Sequence, residues 1–230
     1  MPSTTLAIVT AHNEAGSIAA TLAALSRALP GATLILADDG STDATSELAR
    51  TAGAQVIDAA GRLGKGAAAT LAAAEALRQL QARADANDAV VLLCDGDLGA
   101  SAARLDALVG VVRRDEADLA IAAFARRRGG GFGLALGFAR WAVHRCCEVR
   151  LSAPISGQRA LKATVLGDVL PFAAGFGMEL GMTIDALRAG YRLAEIELDL
   201  SHRATGRTPR GFAHRARQLR DFVRAYRARL

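Results

Sequence analysis

Short oily runs alternate with longer amphipathic stretches through the first half of the chain. LAIVT (6–10), TLILAD (33–38), Gln55–Asp58, AVVLLCD (89–95) and DLAIAAF (118–124) read as strands, because they are brief, apolar and bounded by turn residues. The stretches between them read as helices. Glu14–Leu29 is amphipathic and stopped by Pro30 and Gly31, and STDATSELAR can be capped by Ser41 or Thr42. An alanine-rich helix is expected from about Gly66 to Ala84, and another from Ser101 to Arg114. Strands separated by helices imply right-handed crossovers, and hence a Rossmann-like α/β fold whose mostly parallel sheet is flanked by helices on both faces. In such sheets ligands bind beyond the carboxyl ends of the strands. The polar residues gather there: Thr10 to Glu14 after the first strand, Asp38 to Ser41 after the second, and Asp95-Gly96-Asp97 after the fourth.

The regularity breaks at RRRGGGFG, Arg126 to Gly133, which predicts a cationic loop that serves as a lid, an acceptor-binding segment or a solvated linker. A helix-like segment with Trp141 follows, then ISGQRALK, then an amphipathic helix FGMELGMTIDALRAG ended by Gly190. RLAEIELDL alternates as a strand, and Arg210 to Leu230 reads as one basic helix. There is no internal repeat and no sign of a second domain, so residues 1–230 are expected to form one unit.

A chain of 230 residues is long enough to bury a full core. No run reaches membrane-spanning length, and the N-terminus enters a strand directly, so neither a membrane span nor a secretory leader is expected. Three cysteines, two of them the neighbours Cys146 and Cys147, make no disulfide framework and suit a reducing, cytoplasmic setting. The net charge of +5 points to anionic partners, but lysine occurs only as Lys65 and Lys162, so the placement of the arginines matters more than their number.

The acid pair Asp95 and Asp97 carries the sharpest chemistry. Side chains two apart on an extended chain share a side, and two carboxylates so close at a strand tip repel unless a cation lies between them. A hard divalent cation meets that need. Read alone, the pair equally allows Asp97 to cap the next helix and Asp95 to be a solvated strand end. Lys65, between two glycines at a helix start, is not a phosphate-loop lysine: Ala59 stands where that loop needs glycine, and no Ser or Thr follows the lysine.

Taken in order, AHNEAGSI, DDGSTD, LGKGAA, DGDL, SGQRAL and GFGMELG resemble the family 2 glycosyltransferases of the GT-A fold, over Leu6 to about Leu200. The closing block from Pro171 to Arg207 is also similar to the glucosyl-3-phosphoglycerate synthases, a neighbouring GT-A family. The resemblance implies a metal-dependent enzyme that moves a sugar from a nucleotide-diphosphate sugar, with UDP or GDP as carrier and Mg2+ or Mn2+ as cofactor. It divides the chain into a nucleotide-sugar half (5–125), an acceptor half (126–205) and the basic helix (210–230). Thr10, Asn13, Glu14, Asp38, Asp39, Lys65, Asp95 and Gly96 would then contact the donor; a carboxylate of the Asp38–Asp39 pair suits an imide N–H or a guanine edge, although Asp and Gly also make turns. Asp95, Asp97 and His202 would hold the metal, and Asp97 and Glu179 would serve the chemistry, Glu179 as general base or as a contact to a sugar hydroxyl.

Arg126, Arg128, Gly157 and Arg159 fall where the family admits its acceptor. Guanidinium groups favour phosphate and carboxylate, so an anionic acceptor is expected. SGQRAL resembles a segment of the polyprenyl-phosphate glycosyltransferases, which favours polyprenyl phosphate; GGGFG lacks the Gly-Arg-Val-Thr sequence of the phosphoglycerate synthases. Family 2 implies inversion at the sugar, and the synthases imply retention. The basic helix allows peripheral membrane contact, or packing on the protein's own sheet, and a homodimer is compatible with either. Two other readings fit less well: a nucleotidyltransferase would need a glycine-rich basic loop where AHNEAGSI stands, and a nucleic-acid-binding protein is not favoured because Phe212, Phe222 and Tyr226 recur at the spacing of a buried helical stripe.

Overall fold

The computed structural model describes residues 4–59, 61–84, 86–124, 133–200 and 209–230. Its first strand, β1 (Thr5–Ala11), is buried at every position. β1 lies between β2 (Thr33–Asp38) and β4 (Val90–Asp95), parallel to both, and β3 (Gln55–Asp58) extends the sheet beyond β2. On the other side of β4 runs β6 (Arg159–Lys162), antiparallel to β4 and to β5 (Leu119–Phe124), and β7 (Leu193–Leu198) closes the edge parallel to β5. The order is β3-β2-β1-β4-β6-β5-β7.

Both faces of the sheet are covered, which is why its central strands are apolar without interruption. One face takes Ala7, Val9 and Ala11 of β1 and packs them against α1 (Ile18–Ala28) and α4 (Asp106–Arg113). The other face takes Leu6 and Ile8 and packs them against α3 (Lys65–Gln81), α6 (Ala163–Asp168) and α7 (Gly177–Arg188). The inward face of α3 is nearly all alanine (Ala69, Ala72, Ala73 and Ala76), so that helix lies close on the sheet. A third cluster joins α5 (Gly133–Cys147) and α8 (Pro209–Arg227) to α7 through Val143, Leu180, Ile184 and Phe222. The basic terminal helix therefore packs on other helices rather than on the sheet.

The expected alternation of strands and helices is present, with three local differences. The first helix begins at Ile18 rather than Glu14, because the Glu14 carbonyl closes a turn by accepting the Ser17 and Ile18 amides. The stretch expected as a helix from Ser101 opens as a tight 3-10 run, Gly99–Leu105, and becomes α-helical only at Asp106. ISGQRALK supplies β6, a strand too short to show a period of its own. It is held in register because Leu92 and Leu93 pair with Ala160 and Arg159. The short helices α2 (Thr45–Thr51) and α6 complete the crossovers.

α3 enters the sheet side at a very close approach. A Cβ on Gly66 would stand 2.1 Å from the Ala173 carbonyl oxygen, a backbone atom that cannot swing aside. Gly66→Ala is expected to cost about 2 kcal/mol or more through overpacking. Gly137→Ala, inside α5 with open space around it, is expected to stabilise by about 1 kcal/mol. Urea melts of the two variants check this, and equal stabilities would mean that the Gly66 contact relaxes freely.

Candidate active site

β1, β2 and β4 end at one rim, and there the polar segments bond to one another. Asn13 sits at φ 58, a left-handed conformation that Asn tolerates better than most residues. Its amide donates to Ser41 Oγ at 2.9 Å, and its side-chain oxygen accepts the Thr42 amide at 2.8 Å. The Glu14 amide donates to Thr45 Oγ1 at 2.8 Å, and its carboxylate accepts from Ser17 Oγ at 3.0 Å. These contacts staple the loop after β1 to the turn after β2.

The two aspartates of that turn have different work. Asp38 accepts the Ser41 amide and hydroxyl on one oxygen and Ser46 Oγ on the other, at 2.6 Å, so both oxygens are spent on the turn. Asp39 instead accepts the amides of Leu63 and Gly64, at 2.8 and 2.6 Å, through Oδ1. It thereby ties the segment that leads into Lys65 to the rim, and of the pair it is the residue placed beside the start of α3.

Asp95 is the hub. Its Oδ1 accepts from Thr10 Oγ1 at 3.1 Å and pairs with Lys65 Nζ at 2.6 Å, and its Oδ2 accepts from Gln158 Nε2 at 2.9 Å. Lys65 Nζ also donates to Glu179 Oε1 at 2.6 Å, in the first turn of α7. Burial opposes the charge on Lys65, but the Asp95 and Glu179 carboxylates outweigh it and hold the ammonium above its ordinary pKa. Burial likewise opposes the Asp95 charge, and Lys65, helped by Gln158 and Thr10, still holds that carboxylate below its usual range. The neighbouring Cys94 thiol is pushed up, by burial and then by Asp95, so it stays protonated.

Gly96 packs its backbone on the end of β1: its amide donates to the Thr10 carbonyl at 2.9 Å, and its carbonyl accepts Thr21 Oγ1 at 2.8 Å. Asp97 follows in the turn, half-buried. Gly157 stands over the ion pair, where a Cβ would fall 2.7 Å from Asp95 Oδ2 and 2.8 Å from Lys65 Nζ. A side chain there would fill the space above the acids. Asp95 and Asp97 offer carboxylate oxygens of the kind a hard divalent cation takes, and among the described residues no group of three metal-ligating side chains forms around them. His202, expected as a third ligand, and Arg126 and Arg128, expected at the acceptor, lie outside the described residues.

Arg159 departs from its expected place. Rather than facing an acceptor, its side chain is fully buried, and its donors go to the Ser156 carbonyl at 2.7 Å, the Pro154 carbonyl at 2.7 Å and Thr183 Oγ1 at 2.9 Å. Burial pushes the guanidinium down to about 10, with Glu179 and Glu195 working the other way. It anchors the segment before β6 to α7. Gln158, within SGQRAL but not among the expected site residues, is in contact with Asp95; the available signal is an amide side chain directly before a buried strand.

A mostly parallel sheet with an acid pair after β4, a lysine beside it and glycine at the opening is the arrangement expected of a GT-A fold. The chain belongs to the family "Glycosyl transferase family 2", whose model matches residues 6–174. Its architecture is similar throughout to glucosyl-3-phosphoglycerate synthase from Mycobacterium tuberculosis. With the complex containing Mn2+, UDP-glucose and phosphoglyceric acid, the TM-score is 0.75 at 26% identity, covering 99% of this chain and 79% of that one. The complex with Mg2+ and UDP gives 0.75 at 25% identity, over 99% and 79%, and the phosphoglyceric acid complex 0.73 at 25%, over 99% and 80%. No curated protein sequence matches the chain.

Lys65→Met should expose what the lysine does. Stripping one partner from a buried ion pair costs about 3 kcal/mol, and here leaves two carboxylates facing each other without their cation. Without Lys65, burial is the dominant influence on the Asp95 carboxylate and its native-state pKa rises above that of the unfolded chain, so the folded variant binds extra protons. Its stability is retained at low pH and lost as pH rises through the raised value. Guanidinium melts should show the deficit to be smaller at pH 5 than at pH 8. A deficit independent of pH would mean that Lys65 is not the counter-ion of the acids.

Proposed function

We propose that this glycosyltransferase moves a sugar from a UDP-sugar to a small phosphorylated acceptor, with Mg2+ or Mn2+ as cofactor. The observation that carries the reading is the chain Asp95–Lys65–Glu179, which joins the donor-side strand tip to the first turn of α7 beneath the opening at Gly157. It is supported by likeness, over nearly the whole chain, to a synthase bound to UDP-glucose, Mn2+ and phosphoglyceric acid. Asp97 would hold the cation, with Asp95 behind it and His202 as a further ligand. The bound ion supplies positive charge to the diphosphate as the bond to the sugar breaks. Asp39 is the better candidate of its pair to accept from the base, since Asp38 is committed to the turn. Glu179, whose Oε1 accepts from Lys65 Nζ at 2.6 Å, suits a hydrogen bond from a sugar or acceptor hydroxyl. Polyprenyl phosphate is the less favoured acceptor, because the likeness over nearly the whole chain is to a synthase bound to phosphoglyceric acid.

The test is a thermal-shift panel followed by transfer assays. UDP-sugars should raise the melting temperature only when Mg2+ or Mn2+ is present, as ligands of the native state do. Asp97→Ala should lose that metal dependence and at least about a hundredfold in kcat. Transfer to 3-phosphoglycerate, polyprenyl phosphate and a neutral sugar is then compared. Transfer to the neutral sugar alone would overturn the phosphorylated-acceptor reading, and full turnover by Asp97→Ala would overturn the metal site.

One surface favours a lipid contact as well. Among the described residues no helix is long and apolar enough to cross a membrane, but α5 and the chain end after α8 expose large apolar side chains. Leu134 is 84% exposed, Trp141 50% and Leu230 78%. Phe138, Trp141 and Tyr226 stack on one another, at 5.2 to 5.9 Å between ring centres. α5 carries no acid, and the single acid of α8, Asp221, is buried, while Arg145, Arg217, Arg220, Arg224 and Arg227 lie in the open. An anionic bilayer complements that combination of aromatic ring, leucine and arginine. The wild type should co-sediment with phosphatidylglycerol vesicles and Trp141→Ser should do so several-fold less. No sedimentation by the wild type, or a dimer in solution that Trp141→Ser dissolves, would overturn it.

A further inference from the structure

We infer that Gln158 is a positioning residue for transfer, one that fixes the orientation of the Asp95 carboxylate so that the acid pair meets donor and cation together. Gln158 is 2% exposed. Its backbone carbonyl accepts the Ala122 amide at 3.0 Å, which locks it to β5. Its side chain reaches the other way, to the tip of β4, and both ends of the amide engage one residue. The Asp95 amide donates to Gln158 Oε1 at 3.1 Å, and Gln158 Nε2 donates to Asp95 Oδ2 at 2.9 Å.

Those two bonds complete the restraint on Asp95. Thr10 and Lys65 hold Oδ1, and Gln158 holds Oδ2 from the residue just before β6, so the carboxylate plane is set from both sides. Only an amide side chain answers the whole demand. It must accept from a buried backbone N–H and donate to a carboxylate, while bringing no charge of its own. A lysine or arginine there would add a second cation to the one Lys65 already supplies, and a second carboxylate would repel Asp95. An apolar residue would leave the Asp95 amide and Oδ2 without these partners.

The inference rests on the donor and metal reading above. Gln158→Met, of similar volume, is compared with the wild type, with Asp95→Asn and with the double variant. Melting temperature, kcat, acceptor KM and the calorimetric affinity for UDP with Mn2+ are measured on each. A positioning role predicts that Gln158→Met weakens Mn2+-dependent UDP binding and kcat by about tenfold, with acceptor KM unchanged. In the Asp95→Asn background the same substitution should change UDP binding by less than about twofold, because the group it orients is already altered. A role confined to stapling β6 to β4 would instead lower the melting temperature and leave metal-dependent binding and kcat intact, or act equally in both backgrounds; either result overturns the inference alone. A wild type that transfers from no sugar nucleotide would overturn the donor reading and this inference together.

Discussion

The Lys65 ammonium, 2.6 Å from a carboxylate oxygen of Asp95 and 2.6 Å from one of Glu179, is the contact on which the geometry of the cleft depends. It comes from the first residue of a helix, it meets the tip of a central strand, and it meets the first turn of a helix more than a hundred residues later in the chain. Two unit charges of like sign about 4 Å apart repel by about 4 kcal/mol at an effective dielectric of 20. Without the lysine, Asp95 and Glu179 would lose the cation that holds them together. With it, the two halves of the chain share one electrostatic joint, and the rigid sheet on one side fixes the position of α7 on the other.

Around that joint the rim is built from polar bonds more than from apolar packing. Asn13 reaches Ser41 and Thr42, Asp38 closes its own turn, and Asp39 draws in the Leu63 and Gly64 amides just ahead of Lys65. A group that engages Asp39 thus lies one short segment away from the lysine that neutralises Asp95. Directional bonds of this kind lose strength quickly when misaligned, so the rim tolerates little drift. Gly66, pressed against the Ala173 carbonyl, sets the depth at which the helix bearing the lysine can sit.

How far the site could be read from sequence follows the range of the interactions involved. The strands β1, β2, β4 and β5 announce themselves by continuous apolarity, and the acid pair by its position at the end of one of them. Asp39 and Lys65 came to notice through the family resemblance, and the bonds from Asp39 to the segment ahead of Lys65 show only in the fold. The place of Arg159 was not legible: an arginine beside a polar segment reads as solvent-facing, and nothing local reveals that the Pro154 and Ser156 carbonyls and the Thr183 hydroxyl would converge on its guanidinium. The division of labour between Asp38 and Asp39 was equally hidden, since it depends on Ser46 and on the segment at Leu63. β6 has only four residues, and its identity as a strand exists only through its partners.

Those partners give β6 a consequence for how the chain is made. β4 and β5 are consecutive in sequence among the strands, yet β6 lies between them in the sheet. As synthesis proceeds from the N-terminus, β5 is complete before the strand it must flank exists, and one edge of β4 stays unpaired until residues 159–162 appear. Unpaired edges of apolar strands recruit other strands, and pairings between distant segments form slowly. The first three strands can assemble early, because their parallel pairings close through neighbouring helices. Completion of the cleft waits for the later segment, which brings Gln158 and Gly157 with it. A nascent chain is therefore one whose acid pair is translated early and left half-walled until the last third of the protein arrives.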